Sequence, residues 1–286
     1  MVMVFARRQR HQTDKRDTRA WHHRHMSQAT SKGAAHLQAP AMVLAAGRGE
    51  RMRPLTDHTP KPLLPLRGQP LMQWTLARMA HAGVSRAMVN TGWLGDQIDA
   101  HFTPELTAAH ALPSLSFSHE ARDFGHALET AGGIARALPW LKAADARGVF
   151  WLAAGDVFVP DFAFDADAVA RFAHSDKLAH LWLVPNPAHN PRGDFLRASD
   201  GRVLPDDAPH ANDLPRYTYS TLGLFRCALF EAPWCAIAPG NPAGESAPLA
   251  PLLRQAIAAG RVRAQVYTGA WTDVGTPDRL AALQTI

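Results

Sequence analysis

Between Ala41 and Leu66 the chain reads AMVLAAGRGERMRPLTDHTPKPLLPL. An apolar run enters a loop that holds Gly47 and Gly49, the cations Arg48, Arg51 and Arg53, and, between two prolines, Lys61. Glycine has no Cβ, so its backbone N–H groups can come close to an anion. Pro60 and Pro62 stiffen the chain on both sides of Lys61, which sets a flexible ammonium on a fixed stem. These residue types suit a polyphosphate. Two familiar phosphate loops do not fit. A dinucleotide fingerprint needs a third glycine where this chain has Met52, and a P-loop needs Gly before the lysine and Ser or Thr after it.

Two acids far apart in the sequence complete the chemistry. Asp156 ends the buried run GVFWLAAGD, and Asp273 stands in WTDVGT after another strand. Ligands of open α/β sheets bind at the carboxyl ends of strands. Two aspartates at such ends could share one Mg²⁺, which takes one or two carboxylates together with substrate phosphates. Taken singly, Asp273 reads equally as a turn or helix-cap aspartate, whereas an acid after Ala-Ala-Gly has little structural purpose of its own. His58, His119 and His126 fall in no triad or ligand spacing.

The elements that must carry these groups alternate in type. MVLAA, RAMVNT, SLSFSH and GVFWLAA are strand patterns, separated by helical stretches over Pro70 to His81, around Leu94, Ile98 and Phe102, and from Glu129 to Leu138 onward. The fourth strand lacks alternation and so is buried on both faces. LAHLWLV and YTYSTLGLF follow, separated by a polar loop from Asn186 to Pro215; then come a helix over Ala247 to Gly260, the strand VRAQVYT and a closing helix over Pro277 to Thr285. This is an α/β fold, a Rossmann-like mixed sheet flanked by helices. Residues 40–286 form a single domain with a nucleotide half near 41–157 and a sugar half near 158–286.

The string LAAGRGERMRPLT…PKPLLPLRGQPL resembles the signature of the sugar-1-phosphate nucleotidyltransferases, and the resemblance runs from about Ala41 to the C-terminus. NTGWLGDQI, LETAGGI, RGDF, APLLRQAIAAG and WTDVGTPDRL are similar to the branch that uridylylates N-acetylmuramate 1-phosphate in cell-wall recycling. The resemblance implies a glycosyltransferase-A-like architecture, UTP and a sugar 1-phosphate as substrates, and Mg²⁺ on Asp156 and Asp273. It implies nucleotide contacts from Ala46, Gly47, Gly49, Glu50, Arg51, Lys61, Glu120, Thr130, Gly132 and Ala154. It further implies sugar contacts from Gly193, Asp194 and Ser220, and catalytic charges on Lys61, Arg51 and Arg53. This chain departs from the family pattern at Ala131, at Ala154 and over Tyr219-Ser220-Thr221-Leu222. The neighbouring alternatives are mannose 1-phosphate with GTP, glucose 1-phosphate with UTP or dTTP, and a non-catalytic regulatory relative.

The net charge of +5 misleads. Residues 1–40 hold eight Lys and Arg against two Asp, a surplus of six, so the remaining residues sum to −1. The basic pI belongs to a leader without hydrophobic periodicity or a secretory apolar core, read as disordered over residues 1–39. Neither nucleic acid nor membrane is an expected partner. Cys227 and Cys235 lack CxxC spacing, which fits a reduced, cytoplasmic protein. A monomer or small homo-oligomer is expected.

Overall fold

A computed structural model describes residues 38–284. The expectations for the leader and its WHHRH run lie outside the described residues. The chain opens with β1 (Ala41–Ala45), then short 3₁₀ turns at Glu50–Met52, Leu55–Asp57 and Lys61–Leu63. A small hairpin, β2 (Pro65–Leu66) and β3 (Gln69–Pro70), leads into α1 (Leu71–His81), β4 (Arg86–Thr91), α2 (Gly95–His101), α3 (Pro104–Ala109) and β5 (Ser114–His119). Next come α4 (Glu120–Phe124), α5 (Glu129–Ala144), β6 (Val149–Ala154), β7 (Val157–Phe158) and α6 (Ala166–Ala173). The second half holds β8 (Ala179–Val184), β9 (Phe195–Arg197), β10 (Val203–Leu204), β11 (Arg216–Arg226), α7 (Leu249–Ala258), β12 (Val262–Val266), β13 (Thr272–Asp273) and α8 (Pro277–Gln284).

The central sheet runs β10-β9-β11-β6-β1-β4-β5, with β8 also paired to β11 and β12 paired to β8. β1, β4, β5 and β6 are parallel, and β11 is antiparallel to β6. The mixed α/β sheet expected from the sequence is the one observed. Two details differ. The polar stretch between β8 and β11 is not a plain loop, since β9 and β10 pair within it and extend the sheet edge. The helix that begins at Glu129 continues through Pro139 to Ala144.

Topology decides where a ligand can sit. From β1 the chain builds outward through β4 and β5, then returns to lay β6 on the other side of β1. The carboxyl ends of β1 and β6 are therefore adjacent, with Leu44 in register with Ala154. That reversal of strand order opens a crevice at the strand ends.

The end of β1 is held by a buried polar brace. Asn90 on β4 accepts the Ala45 N–H through Oδ1 (2.9 Å) and donates from Nδ2 to Glu120 (2.8 Å). The other Glu120 oxygen accepts the Leu128 N–H (2.7 Å). Burial pushes the Glu120 carboxyl above its ordinary pKa, while the hydrogen bonds from Leu128 and Asn90 pull it back. Both carboxylate oxygens accept from donors, so an amide cannot replace them without turning an NH₂ toward another donor. Glu120→Gln is expected to lose about 1–3 kcal/mol of stability. Denaturant unfolding would measure this; an unchanged midpoint would contradict the brace.

Candidate active site

Gly49 shapes the loop after β1. It adopts a left-handed conformation (φ 67, ψ 41), and a Cβ built there would stand 3.1 Å from Thr56 Cγ2 and 3.3 Å from Lys61 Cβ. The absent methyl group lets Lys61 fold against the loop. The arginines then divide. Arg48 lies over the Trp93 ring at 3.7 Å and pairs with Asp57 at 3.1 Å. Arg53 pairs with Asp57 at 2.8 Å and is 58% exposed. Arg51 makes no ion pair among the described residues and faces a cavity of about 270 Å³ with Gly47, Gly49, Glu50, Lys61 and Asp156. Of the three loop arginines, Arg51 alone lines that cavity, while Arg53 spends its charge on Asp57.

Lys61 is 8% exposed, and its Nζ lies 2.5 Å from Asp156 Oδ2. A buried ammonium needs such a counter-charge. Asp273 reaches the same neighbourhood through backbone pairing. β13 is antiparallel to β7 with Asp273 opposite Val157, and the Val274 N–H donates to the Asp156 carbonyl (3.1 Å). Gly275, two residues on, lines the same cavity as Asp156, and a Cβ built on it would lie 3.2 Å from both Asp273 carboxylate oxygens. The Asp273 carboxylate itself borders a neighbouring cavity, where Arg279 Nη1 donates to its Oδ2 (2.9 Å) and to its carbonyl (3.0 Å). Arg279 carried no signal in the sequence reading beyond its place in the closing helix.

A second cavity of about 650 Å³ adjoins the first, and Leu44 lines both. Thr130, Gly193 and Asp194 border it. Asp194 accepts the Tyr219 N–H (2.8 Å) and an Asn190 amide hydrogen (2.9 Å), which fixes its carboxylate at the rim. Three residues found here were not foreseen: Thr221, Arg216 and Arg254. Arg216 pairs with Asp206 at 2.7 Å, whereas Arg254 has no ion-pair partner among the described residues. A cation in the periodic stretch APLLRQAIAAG gives no sign of which face it occupies.

Five expected contacts sit away from the cavity surfaces. Glu120 is 0% exposed and belongs to the brace under β1, not to a ligand surface. Gly132 is buried in α5, where a Cβ would meet the Glu245 carbonyl at 2.5 Å; its role is close packing against the 245–247 segment. Ser220 is 0% exposed, and its hydroxyl donates to the Trp182 carbonyl (2.6 Å) and accepts the Leu222 N–H (3.2 Å). The register between β11 and β8 shifts between Tyr219 and Leu222, and this bulge turns Thr221, at φ 63, toward the cavity instead. Ala154 is 8% exposed at the end of β6, and Ala46 offers its carbonyl to the Trp93 N–H (3.4 Å); neither lines the first cavity. Among the histidines, His119 is satisfied by Asp99 (3.2 Å) and Thr91 (3.1 Å).

Comparison with known proteins gives the chain a family. Residues 41–265 match the model of the MobA-like NTP transferase domain. The chain is 41% identical over 251 residues to the N-acetylmuramate alpha-1-phosphate uridylyltransferase of Neisseria meningitidis serogroup B, covering 86% of this chain and 97% of that one. It is 32% identical over 252 residues to the protein of the same name from Caulobacter vibrioides, covering 86% and 96%. A Bacillus anthracis structure named for glucose-1-phosphate thymidylyltransferase, solved with sucrose, superposes with a TM-score of 0.66 at 18% identity, covering 87% of this chain and 96% of that one. That likeness speaks for the fold. Fold and relatives together define an enzyme of the nucleotidyltransferase class. The chain belongs to the MobA-like NTP transferase domain family.

Gly132 gives a test that separates packing from binding. Gly132→Ala forces a methyl group into the Glu245 carbonyl and is expected to cost about 1–3 kcal/mol of stability. Thermal unfolding would check it. A stable variant with only a raised nucleotide KM would return Gly132 to the binding surface.

Proposed function

We propose that the protein transfers UMP from UTP to N-acetylmuramate 1-phosphate, releasing pyrophosphate, in the reduced cytoplasm and in service of peptidoglycan recycling. The observation that carries the reading is the cavity where glycine backbone, the Lys61–Asp156 pair and Arg51, without an ion pair among the described residues, converge. It fits a triphosphate. The adjoining cavity of about 650 Å³ has room for a sugar, and Arg254 supplies a cation there beside the acids Glu129, Asp194 and Asp206. The two relatives that match nearly end to end carry this activity in their names.

In this reading a sugar-phosphate oxygen attacks the α-phosphorus of UTP in line. The new P–O bond forms as the bond from the α-phosphorus to the bridging oxygen breaks, and pyrophosphate leaves with that electron pair. The attacking phosphate has a second pKa of about 6, so it is ionised near neutrality and needs no general base. The chain's work is positioning and charge neutralisation. Gly47 and Gly49 bring backbone close to the β- and γ-phosphates. Arg51 faces the leaving pyrophosphate. Lys61 exchanges Asp156 for the crowded phosphate oxygens as charge builds.

Asp156 and Asp273 would hold Mg²⁺. The donor set is all oxygen, and their backbones are joined through β7 and β13. Two carboxylates plus substrate phosphates are what Mg²⁺ ordinarily takes. Bound there, the ion would neutralise phosphate charge. Arg279 holds Asp273 Oδ2 and leaves Oδ1 free of protein partners among the described residues.

Lys61→Ala is expected to lower kcat by a hundredfold or more, the usual cost of a lost transition-state charge contact. Near-normal turnover in a pyrophosphate-release assay would refute its role. Arg279→Met is expected to raise the Mg²⁺ concentration for half-maximal activity severalfold with little change in kcat at saturation; an unchanged Mg²⁺ titration would count against Asp273 as a ligand. The substrate reading is tested by pairing each NTP with a panel of sugar 1-phosphates. Turnover confined to GTP with mannose 1-phosphate would overturn it and leave the family intact.

A further inference from the structure

A second charged pocket lies at the other end of the sheet. β8 is antiparallel to β11, which is antiparallel to β6, so β8 and its parallel neighbour β12 run in the direction of β1 and β6. The catalytic cavity is at the carboxyl ends of β1 and β6. His180 and Arg263 are the second residues of β8 and β12, paired in register. They therefore sit at the amino ends, away from Lys61 and Asp156.

There a cavity of about 320 Å³ is bordered by Arg171, Lys177, His180, Arg197 and Arg263, with Asp200 as its sole acid. The counter-charges are already used. Asp200 is bound by Arg202 at 2.7 Å, Asp165 faces Arg171 at 3.4 Å, and Asp176 pairs with Lys177 at 2.9 Å. Arg197 and Arg263 have no ion pair among the described residues. Arg197 Nε donates to the Ala264 carbonyl (2.9 Å), and Arg263 Nη2 donates to the Asp200 carbonyl. Each guanidinium keeps further N–H groups for a ligand.

The two guanidinium groups converge. A Cβ built on Gly201 would stand 3.4 Å from Arg263 Nη2 and 3.7 Å from Arg197 Nη2, so both nitrogens approach one point over a bare glycine. Like charges held that close repel, and the one carboxylate lining the pocket, Asp200, is already bound by Arg202, so an anion joining the two guanidiniums would relieve the repulsion. Nearby His180 supports the same picture. Burial first, then the charges of Arg263, Arg171 and Arg197, lower its pKa to about 4. The imidazole is thus neutral at physiological pH and adds no further positive charge, and the Gln265 side chain bonds to it.

We propose that this pocket binds a small phosphate-bearing anion between Arg197 and Arg263, separately from the catalytic cavity. Two guanidiniums present the forked donors that phosphate oxygens accept. The volume exceeds that of inorganic phosphate alone, so a phosphomonoester of sugar size fits. The site does not depend on the substrate reading above.

Arginine Nε–Hε NMR of the full chain, titrated with inorganic phosphate and separately with glucose 6-phosphate, tests this. The titrations are run on wild type and on Lys61→Ala, which removes the catalytic lysine. Saturable shifts of Arg197 and Arg263 that survive in Lys61→Ala are expected. Arg263→Gln should weaken the affinity tenfold or more. Tighter binding of glucose 6-phosphate would support an organic phosphate as the occupant, and equal binding would support phosphate alone. If Arg263→Gln perturbs folding, the exposed Gln265→Glu supplies an internal carboxylate and should weaken the same shifts. Shifts confined to Arg51 and lost in Lys61→Ala, or affinity indifferent to both Arg263→Gln and Gln265→Glu, would overturn the proposal.

Discussion

The Lys61–Asp156 contact is the constraint on which the site depends. Lys61 is buried enough that its charge cannot rely on water, and removing an ammonium from water costs several kcal/mol unless a counter-ion is close. Asp156 supplies it at 2.5 Å. The pair joins the far end of the loop after β1 to the end of β6, so the loop closes onto the sheet before any ligand arrives. An ion pair held in place this way is preorganised, and preorganised charges need no rearrangement when a ligand enters.

That contact exists because of strand order. β1 and β6 are far apart in sequence but adjacent and parallel, and the backbone pair β13–β7 carries the Asp273 segment to the same edge. None of these placements depends on a side-chain contact with ligand. The chemistry is therefore anchored in main-chain hydrogen bonds, the most rigid material available. Arg279 then fixes one oxygen of Asp273 from the closing helix, so even the last helix of the described chain contributes to the geometry.

The shape of the loop after β1 was largely legible in the sequence, and the reason is physical. Glycines, prolines and cations in a short span act locally: Gly49 must be left-handed, Lys61 must follow it closely, and an acid after a buried strand must lie at a strand end. The long-range pairings were harder to see. Nothing in the composition of Glu120 separates a carboxylate that touches a ligand from one that accepts two buried N–H groups. Ser220 and Thr221 are neighbours of similar chemistry, and only the bulge in β11 decides which hydroxyl is spent on Trp182 and which residue faces the cavity. The departure at Ala131 resolves in the same way. Its side chain is 0% exposed within the core under α5, and its N–H is held by the Ala247 carbonyl at 2.9 Å, so the methyl group fills packing space and not ligand space.

The contrast between the two halves follows from what holds them. The cavity at Lys61 and Asp156 is framed by parallel strands in fixed register. The larger cavity is framed by the loop before β9, the bulge of β11 and one face of α7. Loops and bulges tolerate change that a central strand does not. Asp194, Thr221, Arg216 and Arg254 can therefore shift without moving Gly49, Lys61 or Asp156. The same reasoning separates the pocket at Arg197 and Arg263 from both. It is built on the first turns of β8 and β12, and β12 leads directly toward the Asp273 segment.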